Sequence, residues 1–85
     1  MSVFAFLQRL RIQLTDDQRY LEVDYRPGTQ DALYDICDTN GRIIKTGKMN
    51  GNRIKIAVSD LISSAYVLLV LDGENIRSRR FTIER

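Results

Sequence analysis

Turn-forming residues recur at short intervals along this sequence, and they limit what the chain between them can become. The turn signals are Thr15-Asp16-Asp17, Pro27-Gly28, Asn40-Gly41, Asn50-Gly51 and Asp72-Gly73. Turns at intervals of roughly 8 to 12 residues are typical of domains built from many short antiparallel strands. Because Asn-Gly tolerates the positive φ angles of a type I′ turn, Asn40-Gly41 and Asn50-Gly51 are predicted to close β-hairpins.

Between the turns, apolar and polar residues alternate as half-buried strands require. The clearest case alternates Ile54, Ile56 and Val58 with Arg53, Lys55 and Ala57, and similar alternation runs through Leu10, Ile12 and Leu14 and through Leu21, Val23 and Tyr25. Residues 65–71 are apolar on both phases, which predicts a central strand covered on both faces or a strand whose outer face meets another segment. Phe81 and Ile83 predict that the last strand is anchored only through its C-terminal half.

These patterns predict an all-β fold, an immunoglobulin-like antiparallel β-sandwich of about seven strands. The strands are expected near residues 9–14, 19–26, 31–39, 42–48, 53–58, 65–72 and 75–84. Residues 1–85 are expected to form a single β-sandwich domain, in which residues 1–8 fit an irregular or a helical conformation. The residues expected to be buried between the two sheets are Ile54, Ile56, Val58, Leu68 and Val70.

Composition argues against several functional classes. The chain has 85 residues, a formal net charge of +2, one cysteine and no histidine. Histidine-based metal sites and catalytic triads are therefore absent, as are intrachain disulfides and cysteine-based zinc sites. We expect no enzyme activity, no cofactor, no metal and no small-molecule substrate. The apolar residues 3–7 are too few for a signal peptide, and no stretch approaches the roughly 18 to 20 residues that membrane insertion of a helix requires.

Two single residues allow narrower predictions. Cys37 lies in a strand pattern beside Asp35 and Asp38, whose carboxylates disfavour a thiolate, so we expect a structurally dispensable thiol rather than a nucleophile. Tyr66 follows a corner and opens the apolar strand. Its hydroxyl is expected to bond a nearby backbone group rather than a ligand.

The last predicted strand carries three arginines, Arg77, Arg79 and Arg80, which are the candidate partner-binding residues. One interpretation is a basic patch for an acidic protein or for nucleic acid, with tyrosines available for stacking. The other is that these side chains keep a sheet edge soluble and discourage edge-to-edge pairing. Since the net charge is only +2, we expect a protein partner and no nucleic acid.

A series of short motifs also has the order and spacing of a known family. The motifs are Val23 and Tyr25, Ile36-Cys37-Asp38-Thr39-Asn40-Gly41-Arg42-Ile43-Ile44, Ile54-Lys55-Ile56-Ala57-Val58-Ser59-Asp60-Leu61, Tyr66-Val67-Leu68, Asp72-Gly73-Glu74, and the closing Phe81 and Ile83. From about Tyr20 to Arg85 the chain resembles the C-terminal sorting domain, type A, of the type IX (Por) secretion system of Bacteroidetes. It departs from that family where Thr15-Asp16-Asp17 stands near the usual Pro-Asn-Pro entry, and where Ser64 replaces a glycine before the corner tyrosine.

The resemblance implies a non-catalytic sandwich that secretion or cell-surface machinery recognises, and a secreted or cell-surface location. The alternative is a stand-alone protein-binding module that meets its partner through a basic strand face, cytoplasmic if Met1 is the true start. Both interpretations place the partner contact on the last strand, at Arg77, Arg79 and Arg80.

Overall fold

The computed structural model describes residues 9–85, which form seven strands and no helix. The strands are β1 (Arg11–Leu14), β2 (Tyr20–Asp24), β3 (Leu33–Cys37), β4 (Ile43–Lys48), β5 (Arg53–Ala57), β6 (Ser64–Asp72) and β7 (Asn75–Ile83). The predicted all-β class is confirmed, and each expected strand is present with bounds shifted by a few residues. The expectation for residues 1–8 lies outside the described residues. Within residues 9–85 no helix is long and apolar enough to span a bilayer.

Two antiparallel sheets pack face to face. The smaller sheet has the strand order β1-β2-β5, and the larger has the order β4-β3-β6-β7. This confirms the predicted immunoglobulin-like sandwich, with β4 on the larger sheet. Strand β6, the run that is apolar on both phases, lies between β3 and β7. Its inner residues are buried, whereas Val67, Leu69 and Leu71 on the outer face are half-buried. Of the strands that the structure describes, β4 and β7 lie at the two edges of this sheet.

The core follows the alternation that the sequence shows. Its inward residues are Leu10, Leu21, Val23, Tyr25, Ile36, Ile56, Val58, Leu68, Val70, Phe81 and Ile83, all less than a tenth exposed. Four of the five residues predicted between the sheets are buried, and the fifth, Ile54, is half-buried and packs against the core. Burial of this apolar surface, at about 25 cal/mol per Å², is the main favourable term in the folding free energy.

The corner before β6 is held by Tyr66. Its hydroxyl donates to the Ile62 carbonyl oxygen at 2.6 Å, and its ring stacks on Phe81 with 5.6 Å between the ring centroids. The expected bond to a nearby backbone group is therefore confirmed, and it corresponds to the tyrosine corner of immunoglobulin-like domains. Ser64 begins β6 without a positive φ, so serine at this family glycine position carries no backbone strain.

The Asn40-Gly41 turn does close a hairpin, but the type I′ prediction is wrong. Only Gly41 has a positive φ, of 81°, whereas a type I′ turn needs two such residues. The Gly41 amide donates to the Asp38 carbonyl at 3.0 Å, and the Asp38 amide donates to the Arg42 carbonyl at 2.9 Å. This is a type I turn followed by a glycine bulge, which the Asp38 carboxylate favours by accepting the amides of Asn40 and Arg42.

The Asn50-Gly51 hairpin prediction is wrong. Strands β4 and β5 belong to different sheets, so this segment crosses from one layer to the other. The crossing is tied at both ends, because the Met49 amide donates to the Ala32 carbonyl at 2.9 Å and the Tyr25 amide donates to the Asn52 carbonyl at 3.0 Å. An Asn-Gly pair reports a change of chain direction and does not report which strand pairs with which.

Candidate functional site

Among the strands of residues 9–85, β7 is paired on one side only, by β6, so one row of its backbone groups points away from that ladder. It joins β6 through the two-residue turn Gly73-Glu74, and Asp72 lies opposite Asn75. In an antiparallel ladder, hydrogen-bonded and non-hydrogen-bonded pairs alternate from this closing pair. The amides and carbonyls that consequently point away from β6 are those of Ile76, Ser78, Arg80 and Thr82. We call this row the β7 edge.

Two of the predicted arginines fold onto the β7 edge. The Arg77 Nη1 atom donates to the Ile76 carbonyl oxygen at 3.4 Å, and the Arg79 Nη1 atom donates to the Ser78 carbonyl oxygen at 3.1 Å. Guanidinium groups in these positions occupy acceptors that another strand would use. This arrangement is expected of a sheet edge that resists unspecific pairing with strands of other molecules.

A groove of about 720 Å³ lies where the edge of the smaller sheet approaches β7. Its lining residues are Arg9, Leu10, Arg11, Ile12, Gln13, Glu22, Val23, Asp24, Arg53, Arg79 and Arg80. We call it the basic groove, because it has five arginines and only two acidic residues. One of these acids, Asp24, lies 3.5 Å from the Arg53 guanidinium, so the negative charge of Asp24 is partly compensated by Arg53.

The three predicted arginines do not all line the same surface. Arg79 and Arg80 line the basic groove, whereas Arg77 is half-buried and does not. The charge of Arg77 acts on Tyr25, whose pKa rises to about 12 because of burial and the bonded Asp72 carboxylate, an increase that Arg77 partly offsets. Sequence reasoning did not include Arg9, Arg11 and Arg53 in this surface. Their polar phase was visible, but nothing local indicated that β1 and β5 would bring them to β7.

Asp72 belongs to a buried hydrogen-bond network, although in the sequence Asp72-Gly73 indicated only a turn. Its carboxylate is 1% exposed and accepts the Tyr25 hydroxyl at 2.6 Å and the Gly28 amide at 2.8 Å. The Thr29 amide and hydroxyl donate to it at 2.9 and 2.7 Å. Burial alone raises the pKa of Asp72, but these hydrogen bonds outweigh it and the pKa lies below its ordinary value. The network ties the loop after β2 to the β6–β7 hairpin.

The C-terminal end of β7 is held across both sheets. The Gln18 side-chain amide donates to the Glu84 carbonyl at 3.1 Å and accepts the Glu84 amide at 2.7 Å. The Arg85 Nη2 atom donates to the carbonyls of Gln18 and Val58 at 2.7 and 2.8 Å. Together with buried Phe81 and Ile83, these bonds confirm that the second half of β7 is its anchored half.

Cys37 borders a second, largely apolar depression of about 580 Å³ on the outer face of the larger sheet. Burial raises the pKa of its thiol, and the carboxylates of Asp35 and Asp38 raise it further. A thiol with a raised pKa is a poor nucleophile at neutral pH. Across residues 9–85, no group of three or more Cys, Asp or Glu side chains is placed to hold a metal ion.

Comparison with known proteins adds a family assignment to this geometry. A search of curated proteins finds no significant match to the chain. The family model described as the secretion system C-terminal sorting domain matches residues 12–84, which include all of β2 to β7 and nearly all of β1. This chain therefore belongs to the family of type IX secretion system C-terminal sorting domains.

Proposed function

We propose that this chain is a non-catalytic sorting domain whose β7 edge is read by a protein component of the secretion or cell-surface machinery. Membership of the sorting-domain family supports recognition by the type IX system. The observation that carries the finer assignment is the β7 edge itself, a long strand at the margin of the sheet with outward backbone groups and arginines beside them. Such an edge can accept an added strand from a partner.

The chemistry of the described residues supports a recognition role rather than catalysis. The sequence contains no histidine, and burial and nearby carboxylates raise the pKa of the Cys37 thiol. The most strongly hydrogen-bonded buried acid, Asp72, already accepts four donors from its own domain. Asp72 is thus engaged in holding the fold, which suits a domain that is recognised as a folded surface.

The second candidate function is a stand-alone module that binds an acidic protein through the same basic face. The excess of arginines in the basic groove favours it. The two functions differ in what they require: sorting depends on the secretion machinery, whereas the stand-alone module binds its partner without it. A steep fall of affinity with salt accompanied by no export activity would favour the second.

Export of a fused reporter tests the proposal. Residues 1–85 are placed at the C-terminus of a reporter that has a signal peptide, in a Bacteroidetes host with an intact or a disrupted type IX system. We expect export only with the intact system. A reporter that remains periplasmic with the intact domain would contradict the sorting role.

A proline at the edge makes the test specific to β7. Ser78→Pro removes an outward amide without breaking the β6 ladder, so it should block strand addition while the domain stays folded. On the opposite edge, Tyr34 pairs with Gly47 and Asp35 with Thr46. Because Asp35 turns its backbone toward β6, Thr46 faces outward, and Thr46→Pro is the matched control. We expect export to fall with Ser78→Pro and to persist with Thr46→Pro, both checked for folding by circular dichroism.

A further inference from the structure

The arginines of the basic groove come from opposite ends of the chain and from both sheets. Arg9 and Arg11 lie at the start of the described chain, Arg53 lies on β5, and Arg79 and Arg80 lie on β7. Five arginines and two acidic residues give the lining of the groove a formal charge of +3. The whole chain has a formal charge of only +2, so the groove is more positive than the molecule as a whole. Positive charge is concentrated where β7 exposes its edge.

We propose that the basic groove and the β7 edge together bind an extended acidic peptide segment of a partner protein. The backbone of this segment pairs with β7, and its carboxylates bind the guanidinium groups of Arg79 and Arg80. The proposal rests on the proposed function in that a protein reads the β7 edge, and it specifies the chemistry of that protein.

The contact between Arg79 and the edge explains why acidic residues are selected. In the free domain, the Arg79 guanidinium donates to the Ser78 carbonyl at 3.1 Å, which covers one acceptor of the edge. A carboxylate is a stronger acceptor for a guanidinium than a neutral carbonyl is. When a carboxylate binds Arg79, the Ser78 carbonyl becomes available to a backbone amide of the incoming strand. A neutral strand must displace the guanidinium without replacing its bond, so its binding is weaker.

The β7 edge also favours a peptide over other anions. Phosphate polymers can neutralise arginines, but they have no regularly spaced amides to donate to the outward carbonyls of Ser78 and Arg80. Main-chain hydrogen bonds supply affinity in strand addition, and complementary charge supplies specificity. Exposed Ile76, with 61% of its surface accessible, adds an apolar contact for the alternate side chains of such a strand.

Fluorescence anisotropy with synthetic peptides tests this assignment. The probe is a labelled decapeptide of alternating Glu and Val, compared with a Lys-Val decapeptide and with a Glu-Val decapeptide that is N-methylated at alternate backbone positions. We expect the acidic peptide to bind and the Lys-Val peptide not to bind. N-methylation should weaken binding at least 10-fold because it removes the donors needed for strand pairing.

Charge reversal locates the binding surface. Arg79→Glu/Arg80→Glu should abolish binding of the acidic peptide. Arg26→Glu/Lys48→Glu is the matched control, since it changes the net charge equally at two exposed residues outside the basic groove. We expect less than a 3-fold change for this control. Equal losses in the two double variants, or binding indifferent to N-methylation, would overturn the proposal.

Two further readouts separate the possible outcomes. If a polyphosphate or a short DNA binds more tightly than the Glu-Val peptide, with the same dependence on Arg79 and Arg80, the groove binds polyanions and the peptide assignment is wrong. The export reporter is measured with the same variants. Type IX-dependent export that survives Arg79→Glu/Arg80→Glu would remove the acidic-peptide inference and leave the sorting role intact, whereas failure of the intact domain to be exported would remove the sorting role itself.

Discussion

Asp72 and Asp38 lie at opposite ends of the larger sheet, and each accepts several hydrogen bonds through its carboxylate. At Asp38 the donors are the amides of Asn40 and Arg42 and the Arg42 guanidinium, all within four residues. At Asp72 the donors are Tyr25, Gly28 and Thr29, more than 40 residues away along the chain. Asp38 shapes its own turn, whereas Asp72 joins two distant segments of the sandwich.

Similar sets of hydrogen bonds to a carboxylate therefore contribute differently to stability, depending on how deeply the carboxylate is buried. The pKa of Asp38 is lowered mainly by the Arg42 amide, and its half-buried side chain is 17% exposed, so water can reach the carboxylate and replace lost partners. Asp72 is 1% exposed, so its donors have no alternative partner when the carboxylate is removed. Buried polar networks therefore contribute more to stability than exposed ones of the same size.

The largest expected effect is that of Asp72→Ala. We expect it to lower the free energy of unfolding by about 3 kcal/mol, because several buried donors lose their acceptor at once. Urea denaturation followed by circular dichroism measures this loss. Asp38→Ala is the matched variant at the end where the carboxylate is less deeply buried, and it should cost clearly less. Equal losses at the two ends would show that burial does not separate them.

Acid pH sharpens the comparison at Asp72. The folded pKa of Asp72 lies below its ordinary value of 3.8, so the unfolded state takes up a proton first as pH falls. The contribution of Asp72 is therefore fully present above about pH 4 and is lost as the pH falls through the lower, folded value. We expect Asp72→Asn to be less stable at pH 7 and to lose stability less steeply below pH 4. Parallel acid profiles for the two proteins would contradict this.

A glycine substitution examines the Asp38 end through its backbone. Gly41 has a φ of 81° and open space around the position of a Cβ, so the cost of Gly41→Val comes from backbone conformation rather than a clash. We expect a loss of more than about 1 kcal/mol, measured by thermal or urea denaturation. Thr39→Val, in the same turn without a positive φ, is the control and should change stability less. An unchanged melting temperature for Gly41→Val would contradict the bulged turn.

The smallest expected effect is that of Cys37→Ala, beside the Asp38 turn. Cys37 is buried, at 8% exposed, but within residues 9–85 its thiol takes part in no side-chain hydrogen-bond network. We therefore expect Cys37→Ala to lower the free energy of unfolding by about 1 kcal/mol or less. Export of the fused reporter should be unchanged, as it should be with Cys37→Ser. Loss of export in a folded Cys37 variant would show that the thiol has a role that its raised pKa does not suggest.

Local patterns predicted most of the fold and little of the surface. Alternation identified Leu21 and Val23 as the buried residues of β2, because side chains on a strand point to opposite faces with a period of two. Tyr66 was recognisable from its place between a corner and an apolar strand. The same reasoning failed at Asn50-Gly51, since a turn signal reports a reversal of the chain and the partner of each strand depends on contacts elsewhere.

The sequence by itself determined the all-β class, the strand positions and the anchored end of β7, because each of these depends on residues close together in the chain. It also indicated the family, through the order and spacing of motifs along nearly the whole chain. Only the tertiary structure decided that Asp72 is buried, that β4 and β5 lie in different sheets, and that Arg9, Arg11 and Arg53 meet Arg79 and Arg80. These features arise when two sheets pack and bring remote segments together. Local periodicity does not report which segments that are distant in the sequence come into contact.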